Sequence, residues 1–187
     1  KENAQQTDKI WRFQNQEETI TVNIQMSRFD VSSTVHKTYN NPGSTQKFRD
    51  VLELVVNAFL KVASLPKFTR LGLRYIDDCP LPEKSTQVFR SHYDTAYPVT
   101  RFSIEDTKAY DFATIVARKG VSVRYAESLS QVNGQIKFIL DFDGSVEDLP
   151  ATDWLKATDN LHEAISEEYF RTIKDPVKDL MRKPKGV

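Results

Sequence analysis

Thr69-Arg70-Leu71-Gly72-Leu73-Arg74-Tyr75-Ile76-Asp77-Asp78 reads as one strand with two unlike faces. Side chains alternate along a strand, so Leu71, Leu73 and Tyr75 point one way, and Arg70, Gly72 and Arg74 the other. Two guanidinium groups with a bare glycine between them make an anion-contacting surface, or half of a cross-strand ion-pair ladder. Such a strand suits a sheet with one face covered and one open.

Upstream of this strand the spacing is helical. From Thr45 to about Ala63, Phe48, Leu52, Val55, Val56, Phe59, Leu60 and Ala63 fall on one stripe. Ser44 is the expected N-cap, after the break at Asn40-Asn41-Pro42-Gly43, and Pro66 ends the helix. Earlier still, Trp11–Phe13 and Ile20–Gln25 flank a polar connection and read as a hairpin, with Phe29–Val35 as a further strand.

Downstream, residues 83–108 read as a long connection with at most short elements. Phe112–Arg118, Val121–Tyr125 and Gln135–Phe142 follow as strands, with turn chemistry at Lys119-Gly120 and Val132-Asn133-Gly134. Asp153 to about Thr172 returns to helical spacing, broken by Asp175-Pro176 before a short final turn, Val177–Met181. The order of elements predicts an α+β fold in a single domain spanning residues 1–187. Its antiparallel sheet would carry two main helices on one face.

Composition narrows the functional classes. The 26 Lys and Arg balance 26 Asp and Glu, and this neutrality weighs against general polyelectrolyte binding. Cys79 is the single cysteine, so no intramolecular disulfide or cysteine zinc cluster forms, which suits a reducing, cytoplasmic setting. No apolar run approaches the roughly 20 residues of a membrane span. The start, Lys1–Asp8, lacks an initiator methionine and an apolar signal core, so native sequence is expected upstream.

The sharpest candidate for chemistry is Lys137-Phe138-Ile139-Leu140-Asp141-Phe142-Asp143-Gly144. Asp141 and Asp143 share one strand face, a spacing that can hold a hard cation through oxygen ligands. Lys137 lies on that face, and Asp77 and Asp78 are further acidic candidates. The alternative to metal chemistry is structural: turn chemistry at a strand end before Gly144, or ion pairs with Arg70 and Arg74 across strands. His36, His92 and His162 are scattered and show no two-histidine ligand spacing. A nucleophile elbow, a P-loop and a dinucleotide fingerprint are all missing, and no cofactor is expected. Phe89-Arg90, His92-Tyr93, Tyr97, Arg101-Phe102 and Tyr110 interleave aromatic and basic residues. They anchor a loop, meet a protein partner, or stack on nucleic-acid bases.

Arg70-Leu71-Gly72-Leu73-Arg74-Tyr75-Ile76-Asp77 resembles the R-x-G-L-R-Y-I-N signature of a sporadically distributed prokaryotic family of proteins of unknown function. Trp11–Phe13, Ile20–Ile24 and Phe48–Ala63 look like that family's upstream strands and helix. Leu140–Asp143 and Asn160–Ile165 are similar to its closing part. The resemblance spans nearly all of the chain except the family's N-terminal portion, and Asp77 stands where the family more often has asparagine. It implies no reaction, and its patchy distribution points to mobile or defence-associated genes.

These readings lead to a soluble, non-catalytic interaction module that contacts a protein partner through Arg70, Gly72 and Arg74. Nucleic acid or a nucleotide is the less favoured ligand, and no membrane is involved. The alternative is a metal-dependent phosphodiester hydrolase with Asp141 and Asp143 as ligands and Lys137 as catalytic group. A third reading makes the chain one piece of a larger assembly.

Overall fold

Alternation and turn chemistry place seven strands and four helices among the described residues. The structure, a computed structural model, describes residues 9–41, 43–44, 47–132 and 135–182. The expected features at Lys1–Asp8, Pro42, Thr45 and Asn133-Gly134 lie outside the described residues. Contacts cluster into two units, Lys1–Leu65 and Pro66–Val187. The α+β class and the antiparallel pairing expected from the sequence are both present, with the strands divided between a three-stranded and a four-stranded sheet.

The first unit is a meander, β1 (Trp11–Gln14), β2 (Ile20–Ile24) and β3 (Phe29–Ser33), followed by α1 (Phe48–Val62). The β1–β2 turn holds Glu18 at a positive φ of 54°. Asn15 compensates, its side-chain oxygen accepting the N–H groups of Thr19 and Ile20 at 2.8 Å each. Phe29 of β3 stacks on Phe59 of α1, with ring centroids 4.4 Å apart. The N-cap of α1 is Lys47 rather than Ser44, and it contributes no side-chain bond. The carbonyls of Thr38 and Tyr39 instead accept the N–H groups of Phe48 and Arg49, so backbone does the capping.

In the second unit, β4 (Lys67–Cys79) and β5 (Ala109–Arg118) are the edges of a sheet ordered β4-β7-β6-β5. The inner strands are β6 (Val121–Val132) and β7 (Gln135–Pro150), and every pairing is antiparallel. A two-residue turn joins β5 to β6. Lys119 and Gly120 take φ values of 48° and 81°, the left-handed pair a tight hairpin needs.

One face of this sheet carries α3 (Trp154–Thr172), preceded by a 3-10 turn over Ala151–Asp153. Phe138, Leu140 and Phe142 of β7 and Leu161, Ala164 and Ile165 of α3 are all buried. Gly144 does not end a strand, as the turn reading of Asp141-Phe142-Asp143-Gly144 supposes; β7 runs on to Pro150. A Cβ there would lie 3.1 Å from Cδ1 of Ile165 and 3.2 Å from Cδ2 of Leu161. The bare glycine leaves room for these two α3 side chains against the sheet.

The connection 83–108 contains α2 (Thr86–His92), whose Ser85 N-cap accepts the Val88 N–H. Phe89, Tyr93, Tyr97 and Ile104 are buried, so this segment is an anchored part of the core. The chain closes with α4 (Asp175–Arg182), which begins one residue before Pro176 instead of at Val177. Proline is accommodated there because first-turn N–H groups have no intrahelical acceptor.

Candidate functional site

The alternation of β4 sorts its residues as the sequence predicts. Leu73 is buried, whereas Arg70, Gly72 and Arg74 are exposed on the face opposite α3. The register then decides what they meet. Arg74 lies opposite Asp143, which lies opposite Arg124 of β6; Ile76, Asp141 and Ala126 form the next row. Arg70, Arg74 and Arg124 thus share one face with Asp141, Asp143 and Glu147, the last lying opposite Arg70.

The pairing runs diagonally. Arg74 grips Asp141 with two hydrogen bonds of 2.8 Å, from Nε to Oδ1 and from Nη2 to Oδ2. Arg124 donates to the same carboxylate at 3.1 Å. Arg70 reaches past Gly72 to Asp143, its Nη2 lying 3.0 and 3.1 Å from the two oxygens. A Cβ on Gly72 would come within 2.8 Å of Nη1 of Arg70. The bare position is what lets the guanidinium cross two rows of the sheet.

These bonds orient the arginines without hiding them. Arg70, Arg74 and Arg124 keep 52%, 55% and 43% of their side-chain surface, against 16% for Asp141. The hydrogen bond to Arg74 is the main reason the Asp141 carboxyl titrates below its ordinary range; the Arg74 guanidinium is correspondingly held charged. Ile76, Ile139 and the small residues Ala113 and Ala126 line an open depression of about 360 Å³ beside Arg74 and Arg124.

Asp78 pairs with Lys137 at 3.5 Å on this same face. Asp77 falls on the helix-bearing face, opposite Leu140, where burial raises its pKa. Each residue of the hydrolase reading therefore has a basic or acidic partner of its own, apart from Asp77, which faces away. No group of three or more His, Cys, Asp or Glu residues able to hold a metal occurs among the described residues. Each histidine has a local partner: His36 bonds Ser33, His92 the Val88 carbonyl, and His162 the Tyr75 hydroxyl. Cys79 is buried, and burial pushes its thiol up to about 12, so it is no activated nucleophile. Phe89, Tyr93 and Tyr97 are packed inside and present no ring to a base.

Two features escape the sequence reading. Arg124 completes the arginine cluster; the signal for it is the alternation of Val123 and Tyr125 around it. Glu127, only 1% exposed, lies on the helix-bearing face of β6. It accepts hydrogen bonds from the Tyr110 and Tyr125 hydroxyls, and the backbone of Ala96 and Tyr97 lies close enough to favour its charge. That carboxylate ties the 83–108 segment to the sheet, and desolvation raises its pKa.

No family model, curated protein or solved structure matches the chain. No helix among the described residues is long and apolar enough to cross a membrane.

Proposed function

We propose that the protein is a non-catalytic interaction module whose open sheet face binds acidic side chains of a protein partner. The observation that carries this reading is the half-exposed trio Arg70, Arg74 and Arg124, oriented on one face by their bonds to Asp141 and Asp143. Arg70 keeps Nε and Nη1, and Arg124 its Nε and Nη2, beyond their bonds to the aspartates. The Nε–H and Nη2–H edge of Arg124 suits a second carboxylate in bidentate geometry, whereas Nε–H and Nη1–H of Arg70 point to different sides and each suits a single bond.

A protein fits better than a nucleic acid for three reasons. The chain is neutral overall, the two aspartates sit among the arginines, and the exposed Ile76 and Ile115 offer apolar contact. The test is fluorescence anisotropy of a labelled hexaglutamate peptide against the wild-type chain and the Arg70→Ala/Arg74→Ala variant. Charge-assisted hydrogen bonds contribute about 1.5–3 kcal/mol each, so removing both arginines should weaken binding by about 100-fold or more. Equal binding by a folded double variant would refute the assignment, as would tighter binding of single-stranded DNA than of the peptide.

A further inference from the structure

The two edges of the four-stranded sheet are unlike. β4 carries Lys67, Arg70, Arg74, Asp77 and Asp78 along its length, the kind of charge that keeps an edge from pairing. β5, Ala109–Arg118, has charges only at Asp111 and Arg118, and none from Phe112 to Ala117. It contains no proline, and its ladder to β6 is continuous over ten residue pairs, without a bulge. Its other side has no strand partner among the described residues. Ile115 is 70% exposed and Phe112, on the opposite face, 36%. α3 packs mainly on β4, β6 and β7 and meets this edge at its end, where Arg118 donates to Glu168. A long edge with no bulge, no proline and no charge over its central residues is a pairing site.

We infer that two copies of this chain pair antiparallel through β5 about a two-fold axis, making one eight-stranded sheet. The self-complementarity of the strand argues for a second copy over a foreign strand. A two-fold perpendicular to the sheet keeps each residue on its own face, so opposed residues must share parity. Centred on Thr114, the register sets Ala113 against Ile115 of the second copy on the open face. On the helix-bearing face it sets Phe112 against Val116 and Tyr110 against Arg118. Every central pair joins apolar or β-branched side chains, the pairs that stabilise sheets, and no like charges meet. Shifting the centre to Ala113 would oppose Lys108 to Arg118. The zero net charge of the chain removes long-range repulsion between copies. The arginine face would be duplicated side by side on the same surface of the extended sheet.

Sedimentation velocity between about 1 and 100 μM, with cysteine cross-linking, tests this pairing. The wild-type chain should dimerise as concentration rises. Thr114→Cys, at the axis, should form a disulfide-linked dimer under mild oxidation. Asp111→Cys, off the axis, should not, and the buried Cys79 leaves the background clean. Ile115→Lys should keep its far-ultraviolet circular dichroism and weaken dimerisation at least about tenfold, as a lysine on an edge does. A wild-type chain monomeric throughout the range would overturn the inference. So would a dimer in which Thr114→Cys never cross-links.

Discussion

Gly144→Ala and Gly72→Ala add the same methyl group to opposite faces of one sheet, and the structure predicts unequal costs. At Gly144 the new Cβ would sit 3.1–3.2 Å from the side chains of Ile165 and Leu161, which are 1% and 0% exposed. Neither can retreat without opening the α3–sheet contact, and overpacking of this kind costs about 1–3 kcal/mol. Loss of glycine's unfolded-state entropy returns about 0.4–1 kcal/mol. The net expectation is a destabilisation of about 1–2 kcal/mol, or several degrees in Tm.

At Gly72 the contact is the Nη1 end of Arg70, a flexible and half-exposed side chain. It swings away at the loss of one surface ion pair, typically about 0–1 kcal/mol, offset by the same entropic gain. Gly72→Ala should therefore stay within about 0.5 kcal/mol of wild type, yet bind hexaglutamate more weakly because Arg70 is displaced. Urea unfolding followed by circular dichroism measures both variants. Equal costs at the two sites, or a Gly144→Ala protein as stable as wild type, would refute the packing argument.

Three further outcomes follow from buried groups. Glu127→Ala leaves two tyrosine hydroxyls without their acceptor and should cost about 2–4 kcal/mol, read from the urea midpoint. The Glu127 pKa is raised above 4.5, so the folded state binds the extra proton. Its contribution is fully present below that value and is lost as pH rises through the folded pKa; the stability difference between wild type and Glu127→Gln should follow that course. Asp141 has the opposite sign. Its pKa is depressed below 3.8, so its contribution is present above that value and lost as pH falls through the folded pKa, and Asp141→Asn should flatten this acid limb. Cys79, with its thiol buried and raised to about 12, should react with a disulfide reagent only as fast as the protein opens.

Periodicity alone was enough to place α1 and α3 and to sort the faces of β4 and β7, because Leu73, Phe138 and Phe142 obey simple alternation. The ladder reading of Arg70, Arg74, Asp141 and Asp143 is present as hydrogen-bonded pairs. What single-strand patterns could not supply was register. Arg124 joins the cluster only because β6 lies against β7 with Arg124 opposite Asp143. Gly144 resembled a turn residue because the helix that needs its missing Cβ comes later in the chain. Glu127 lay beyond the expected end of its strand, and a buried carboxylate becomes legible only with its two tyrosine donors. The segment 83–108 looked irregular since its order comes from Phe89, Tyr93, Tyr97 and Ile104 entering the core, a tertiary effect with no local period.

The most direct test of the binding face is a titration of the arginine Nε–H resonances with unlabelled hexaglutamate, followed by nuclear magnetic resonance. Binding at this face predicts saturable shifts of Arg70, Arg74 and Arg124, lost in the Arg70→Ala/Arg74→Ala variant while its backbone spectrum stays folded. Unmoved guanidinium resonances at saturating peptide would contradict it, as would shifts centred on Arg12, Arg28 or Arg171.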